Sequence, residues 1–216
     1  MNRYVIIGII GVISGLLCAL ADVPLAYSGE KGDPGSDNVN RIASWWTKVP
    51  ESHFTTAFWL SFLGQPGTYL TMWMLGELIG MKSPGLGLAL KINTAIGCYT
   101  GLLFHADACT KPLVYSAVYG KVSEQDAGKA ADAVGKHAQL PSVISAISLF
   151  FGTTVIVTWS IFAGALDVPV FMAFFNPVFA TLILYFLKKR GFRIVGPLGM
   201  GFVLFALVLM TAGLRL

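Results

Sequence analysis

Long uninterrupted runs of apolar residues recur along the whole chain, and they constrain its fold more than any other feature. A helix needs about 20 apolar residues to cross roughly 30 Å of hydrocarbon, and about six runs of that length fit the sequence. They cover residues 4–21, 53–79, 86–104, 143–166, 168–187 and 194–214. The sequence therefore predicts an all-α fold, a polytopic membrane helix bundle of about six transmembrane helices in one transmembrane domain over residues 1–216.

The composition argues against an ordinary water-soluble domain. Of the 216 residues, 55% are hydrophobic and 12% are charged, whereas a soluble domain carries roughly a quarter charged residues. The net charge of +4 could indicate a nucleic-acid partner, but the basic residues lie in the loops between apolar runs, where they report membrane orientation. We therefore expect membrane lipids as partners and no nucleic acid. The three cysteines show no CxxC spacing, so no disulfide framework follows from them, and no cofactor is expected.

The first apolar run has two interpretations. Arg3 in front of it and Ala19-Leu20-Ala21 at its end resemble a cleavable signal peptide. Gly11 and Gly15, however, have the small-xxx-small spacing that lets two helices approach closely. We expect a retained transmembrane helix.

The connecting segments divide into loops and two amphipathic pieces. Residues 22–52, 105–142 and 188–193 are expected to be cytoplasmic loops. Within the first, Trp45 and Trp46 stand beside cations, which is typical of an interfacial segment in the headgroup layer. Within the second, Ser123 precedes acidic residues and an Ala-rich stretch, which predicts a short surface helix that starts at a serine cap.

The distribution of lysine and arginine sets the expected orientation. One side of the membrane collects Lys31, Arg41, Lys48, Lys111, Lys121, Lys129, Lys136, Lys188, Lys189, Arg190 and Arg193. The other side has Arg3, Lys82 and Arg215. Because the cation-rich side normally faces the cytoplasm, we expect an inner-membrane, multi-pass protein with both termini extracytoplasmic.

Glu77 and Lys91 flank the turn between the second and third runs. Each lies about 6 to 10 Å from that turn at 1.5 Å per residue, so an ion pair between them is geometrically easy. We expect a structural pair; the alternative is a proton or substrate site.

A second group of polar residues lies at the cytoplasmic boundary. His53 opens the second run, His105 and Asp107 follow the third, and Asp22 and Cys109 lie at the same depth. A histidine and a carboxylate could act as general base and orienting partner, or as metal ligands, but no HExxH or GxSxG pattern supports either role. Hydrogen bonding at helix ends is the other interpretation, and we expect no metal.

A third group of polar residues lies halfway through the runs. Gln65, Asn93, Thr94 and Asn176 form this midplane layer, with Thr154 and Thr158 nearby. Interhelical hydrogen bonding alone could account for them. Gln65 and Asn176, however, precede prolines, which free backbone carbonyls and break helices, as at ligand sites in transporters. We expect Gln65, Asn93 and Asn176 to point into the bundle, and at least two of them to border one cavity.

Three segments resemble those of an uncharacterised bacterial family of small multi-spanning membrane proteins. They are GLLCALADVPLAYSG at 15–29, FWLSFLGQPGTYLTMW at 58–73 and HADACTKPLVYSA at 105–117. The resemblance covers about half of the chain and implies no activity.

Three functions remain open on the sequence alone. The first is binding or translocation of a small neutral or amphipathic molecule at the midplane layer. The second is a membrane-embedded enzyme that acts on a lipid or isoprenoid through His53, His105 and Asp107. The third is an accessory subunit of a membrane complex, with an oligomer or complex partner.

Overall fold

The computed structural model describes residues 2–28, 42–43, 45–193 and 195–216. Within them the chain is all-helical and contains no strand. The α-helices are α1 Arg3–Ala21, α2 Val23–Ala26, α3 Glu51–Lys82, α4 Pro84–Val118, α5 Glu124–Ser145, α6 Thr153–Phe162, α7 Pro177–Lys189 and α8 Pro197–Gly213. Short 3-10 helices cover Trp46–Lys48 and Val170–Phe174, and a π-helical turn, Ala146–Gly152, joins α5 to α6. The predicted all-α class is confirmed.

Three helical segments of the described chain are long and apolar enough to cross a membrane. They are Arg3–Ala26, Pro84–Val118 and Glu124–Phe162, and Pro197–Gly213 is a shorter apolar helix. The count of about six crossings stays a prediction.

The segment predicted as a short surface helix is part of a much longer one. Ser123 caps its start as predicted, because its side chain accepts a hydrogen bond from the Asp126 N–H at 3.1 Å. The helix does not stop before the fourth apolar run, however, and continues without a break from Glu124 to Phe162. A change from polar to apolar side chains does not interrupt backbone hydrogen bonding, and the Ala-rich stretch favours helix.

The third and fifth runs also differ from the predicted helices. Helix α4 continues past residue 104 to Val118, so His105 and Asp107 lie inside a helix rather than after one. The fifth run is broken: its first part is the 3-10 helix Val170–Phe174, Asn176 is extended, and α7 begins at Pro177. Proline is well placed at the first position of a helix, where its missing N–H has no intrahelical partner.

A second apolar core lies beyond the main one. Trp46 is 3% exposed and packs against Phe54 and Tyr115, with ring centroids 6.4 Å and 6.0 Å apart. Ala127 and Ala131 of α5 belong to the same cluster. Trp46 is therefore buried by α3, α4 and α5, while the position of this segment in the headgroup layer stays a prediction. The polar segment at residues 29–41 lies outside the described residues.

The two termini lie at one end of the bundle. The Asn2 side-chain amide donates a hydrogen bond to the Gly213 carbonyl at 2.9 Å, and Arg215 lies 3.3 Å from the Asp167 carboxylate. At the opposite end, α1 stops beside the start of α8, where the Gly196 N–H donates to the Ala19 carbonyl at 2.8 Å. We call the first the terminal end and the second the pocket end.

Helix α1 is held between α3 and α8 by close backbone approach. A Cβ atom on Gly15 would lie 2.8 Å from the Val203 nitrogen and 2.9 Å from the Gly199 oxygen, and both are backbone atoms that cannot move aside. The small residues of the first run therefore form a helix interface, as their spacing indicates.

Candidate functional site

A cavity of about 200 Å³ lies between α1, α3, α4, α5 and α8 near the pocket end. We call it the inner pocket. Its polar lining consists of Cys18, Asp22, Ser61, Gln65, Thr68, His105 and Ser145. Apolar walls come from Phe104, Leu149, Leu198 and Phe202. Five helices that are distant in sequence thus line a mostly apolar cavity that carries several hydrogen-bonding groups.

Two serine hydroxyls face the inner pocket without a protein partner. Ser61 on α3 is 6% exposed and Ser145 at the end of α5 is 5% exposed. Several other buried hydroxyls of the described chain bond to a carbonyl one helical turn earlier, as Thr68 does to the Gln65 carbonyl at 2.8 Å. Ser61 and Ser145 have no such bond in the described part of the chain. Neither oxygen is among the fully enclosed atoms of the described chain that lack a partner, so both hydroxyls reach the surface of the cavity, where a bound polar molecule or water can contact them.

Asp22 and His105 meet at the wall of the inner pocket. His105 Nδ1 lies 3.7 Å from Asp22 Oδ1, and His105 Nε2 lies 3.2 Å from the Ala57 carbonyl oxygen. A carbonyl only accepts, so Nε2 must carry a proton. Nδ1 then faces the carboxyl group of Asp22. His105 therefore lies between a backbone carbonyl of α3 and the Asp22 side chain at the pocket wall.

The Asp22 carboxylate fits because of a glycine in the chain before α8. A Cβ atom on Gly196 would overlap Asp22 Oδ2. Asp22 is the C-cap of α1, and it keeps 44% of its side-chain surface exposed. The carboxylate is thus accessible to a molecule in the pocket while it remains near His105.

Gln65 separates the inner pocket from a second depression on the outside of the bundle. Its Nε2 donates to the Cys98 carbonyl of α4 at 2.6 Å. The second depression measures about 360 Å³ and lies between α3 and α4; we call it the outer groove. It is lined by Phe62, Gln65, Pro66, Tyr69, Ala95, Cys98, Tyr99 and Leu102. Gln65 is therefore the one predicted amide that borders a polar cavity.

Asn93 and Asn176 do not share that cavity. Asn93 Nδ2 donates to the Ser148 carbonyl at 2.8 Å, which lies in the π-helical turn. Asn176 caps α7, since its side-chain oxygen accepts the Phe179 N–H at 3.0 Å. Asn176 also borders an open apolar groove of about 470 Å³ with Thr154 and Thr158. These two amides stabilise irregular backbone, so the layer does not form a single cavity.

Thr94 is a different case. It is fully buried, and its Oγ1 has no hydrogen-bond partner. It borders neither the inner pocket nor the outer groove. We have no physical account of this unpaired hydroxyl.

The residues of the predicted boundary site do not converge. His53 Nε2 contacts the Tyr27 carbonyl at 3.0 Å, and His53 does not line the inner pocket. Asp107 is partly buried on α4 and is also absent from the pocket wall. Only His105 lines the pocket, where its partner is Asp22. In the described part of the chain, no group of three or more His, Cys, Asp or Glu side chains could hold a metal ion.

Glu77 does not pair with Lys91. Its carboxylate lies 3.8 Å from the Arg3 guanidinium, and the Lys91 ammonium lies 4.6 Å from the centre of the Trp73 ring. Glu77 and Lys91 do border one open depression near the terminal end. The expected ion pair between Glu77 and Lys91 is not formed, because Arg3 of α1 lies closer to Glu77. The prediction considered only the two helices that meet at the turn.

Comparison with protein families identifies the chain's relatives. The model of a family of unknown function, DUF6796, matches residues 1–216. The chain belongs to that family. No curated protein and no solved structure matches it. The resemblance to an uncharacterised family thus extends over the whole chain, while bacterial origin and multi-spanning character remain predictions for DUF6796.

Ser61 and Ser145 could not be predicted as pocket residues, because isolated serines are common in apolar runs and no sequence pattern distinguishes these two. A signal for Asp22 and Gly196 did exist: each lies at an end of an apolar run that is expected at the cytoplasmic boundary. Their contact depends on α1 and α8 being neighbours, which periodicity does not reveal.

Proposed function

We propose that this DUF6796 member is an inner-membrane helical protein that binds a small neutral or amphipathic molecule in the inner pocket. One observation carries the proposal: Ser61 and Ser145, each more than nine-tenths buried as a residue, line the cavity, and neither hydroxyl has a hydrogen-bond partner among the described residues. Gln65 and the Asp22–His105 pair add further groups that could bind a ligand. The π-helical turn directly after Ser145 also supports a ligand site, because such turns are frequent at functional sites.

Six membrane crossings are part of the proposal. α1, α3, α4, the long α5–α6 helix, the Val170–Lys189 segment and α8 would alternate in direction, which agrees with termini that meet at one end. Lys188, Lys189 and Arg190 close α7 at the expected cytoplasmic side. Two of the eleven cations counted for that side, Lys31 and Arg41, lie outside the described residues.

The enzyme alternative has less support. It needs His53, His105 and Asp107 around one substrate, but His53 and Asp107 lie outside the wall of the inner pocket. An accessory-subunit role rests on no specific observation in the described chain. Binding, with transport as its extension, is therefore the better proposal.

Native mass spectrometry of the full chain, extracted from its own membranes in mild detergent, tests the binding proposal. We expect a non-protein mass bound to the wild type. Ser61→Leu should lower its occupancy by about tenfold or more, because the larger side chain fills the pocket and removes a hydroxyl. Ser61→Ala, which keeps the volume free, should give a smaller loss.

Thr154→Val is the matched control, since Thr154 borders the apolar groove beside α7 instead of the inner pocket. It should leave the bound mass unchanged. A wild-type protein without a bound molecule, or equal occupancy in Ser61→Leu and wild type, would contradict the proposal.

A further inference from the structure

The outer groove presents an apolar surface to whatever surrounds the bundle. Phe62 is 45% exposed and Tyr99 is 69% exposed, and Leu102 and Ala95 complete the α4 side. In a bilayer such a surface faces acyl chains. Its floor, however, is polar, because Gln65 lies between α3 and α4 at this depth.

Gln65 lines both cavities, so the outer groove and the inner pocket adjoin at this residue. The hydrogen bond from Gln65 Nε2 to the Cys98 carbonyl holds this side chain between α3 and α4. Behind it, Gly101 keeps space open: a Cβ atom there would lie 2.9 Å from Ser145 Oγ and 3.8 Å from Gln65 Nε2. Rotation of Gln65 would join the groove to the serine hydroxyls.

The two cavities differ in size and lining, and together they fit a ligand that has two different parts. The inner pocket, at about 200 Å³, is smaller than the 300 to 1,000 Å³ typical of sites that enclose a drug-sized molecule. It suits a head group of a few atoms. The outer groove, at about 360 Å³ and lined mainly by carbon, suits a hydrocarbon chain.

The charges of the pocket favour a neutral head. Asp22 and His105 contact each other, so an ionic head would have to compete with that contact for its countercharge. Burial of an unpaired carboxylate or ammonium is very costly. A hydroxyl both donates and accepts, and it matches the free hydroxyls of Ser61 and Ser145.

We infer that the ligand is a single-chain amphiphile with a neutral, hydroxyl-bearing head, which enters from the lipid between α3 and α4. Its head contacts Ser61 and Ser145 in the inner pocket, its chain lies along Phe62 and Tyr99, and Gln65 is the residue that it passes. This inference rests on the proposed function.

Photolabelling of the full chain in lipid nanodiscs tests it. The probes are a long-chain fatty alcohol with a diazirine on the chain and the fatty acid of identical chain and label. The alcohol should label Phe62 and Tyr99 saturably and about tenfold more than the acid does, because the acid must bury a charge beside Asp22. Unlabelled alcohol should compete.

Variants separate the head site from ordinary lipid contact. Ser61→Leu should abolish saturable labelling at Tyr99, and the milder double change Ser61→Ala with Ser145→Ala should weaken it about tenfold, while Thr154→Val should have no effect. Labelling that is equal for alcohol and acid, or unchanged in both serine variants, would show ordinary surrounding lipid and overturn the inference.

The outcome also separates this inference from the proposed function. A Ser61-dependent mass in native spectra combined with equal alcohol and acid labelling would leave the binding function intact and refute the ligand class. Absence of both signals would refute both.

Discussion

At the scale of single residues, the polar side chains of this bundle differ in where their hydrogen bonds go. Asn93 and Asn176 bond to irregular backbone, at the π-helical turn and at the start of α7. Ser61 and Ser145 instead face a cavity. Since each buried polar group needs a partner, the first pair maintains the fold and the second pair leaves room for a ligand.

The Asp22–His105 contact gives a testable coupling. Asp22→Ala and His105→Ala should each lower thermal stability in detergent, because each removes one partner of the contact at the pocket wall. The double variant should lose less than the sum of the two, with a coupling on the order of 0.5–3 kcal/mol. Effects that add would mean that the two side chains do not interact.

The sequence predicts which polar residues lie at a given depth better than it predicts which groups they contact. The depth of His105 and Asp22 at one boundary follows from the lengths of the apolar runs, and these two side chains do meet. The partner of Glu77 could not be predicted, because it depends on α1 packing beside α3. The hydrogen bond of Asn93 to the Ser148 carbonyl depends on a π-helical turn, and no sequence pattern in residues 146–152 predicts that turn.

At the scale of elements, glycines determine how closely the helices pack. Gly15 allows α1 to touch the backbone of α8 at Gly199 and Val203, whereas a Cβ atom on Gly85 would meet nothing within 4 Å. Helix interfaces of this kind depend on the missing side chain.

A matched pair of alanine substitutions tests this packing. Gly15→Ala should lower the melting temperature of the detergent-solubilised protein clearly, because an added methyl group forces α1 and α8 apart at a cost of typically 1–3 kcal/mol. Gly85→Ala, in open space near the start of α4, should be neutral or slightly stabilising, since alanine favours helix. Equal melting temperatures for the two variants would count against the close α1–α8 contact.

Helix boundaries show which element-level features the sequence contains. The Ser123 cap and the break at Asn176-Pro177 are readable, because both use local chemistry. The continuity of Glu124–Phe162 and the extension of α4 to Val118 were not predicted, since the change in polarity along each segment looked like a boundary. The burial of Trp46 could not be predicted for a related reason: it depends on the parts of α4 and α5 beyond the apolar runs.

At the scale of the whole molecule, the two termini share one end and the inner pocket lies toward the other. The cation count predicts that the pocket end faces the cytoplasm. Alkaline phosphatase fused after residue 216 should therefore be active, and green fluorescent protein at the same position should be dark. The reverse result would contradict an extracytoplasmic C-terminus.

Binding in the inner pocket is the central claim, and an experimental density map of the protein in native-lipid nanodiscs tests it most directly. We predict non-protein density within hydrogen-bonding distance of Ser61 Oγ and Ser145 Oγ, continuing past Gln65 toward Tyr99. A map in which both serines bond to carbonyls of their own helices around a closed, empty core would contradict the claim.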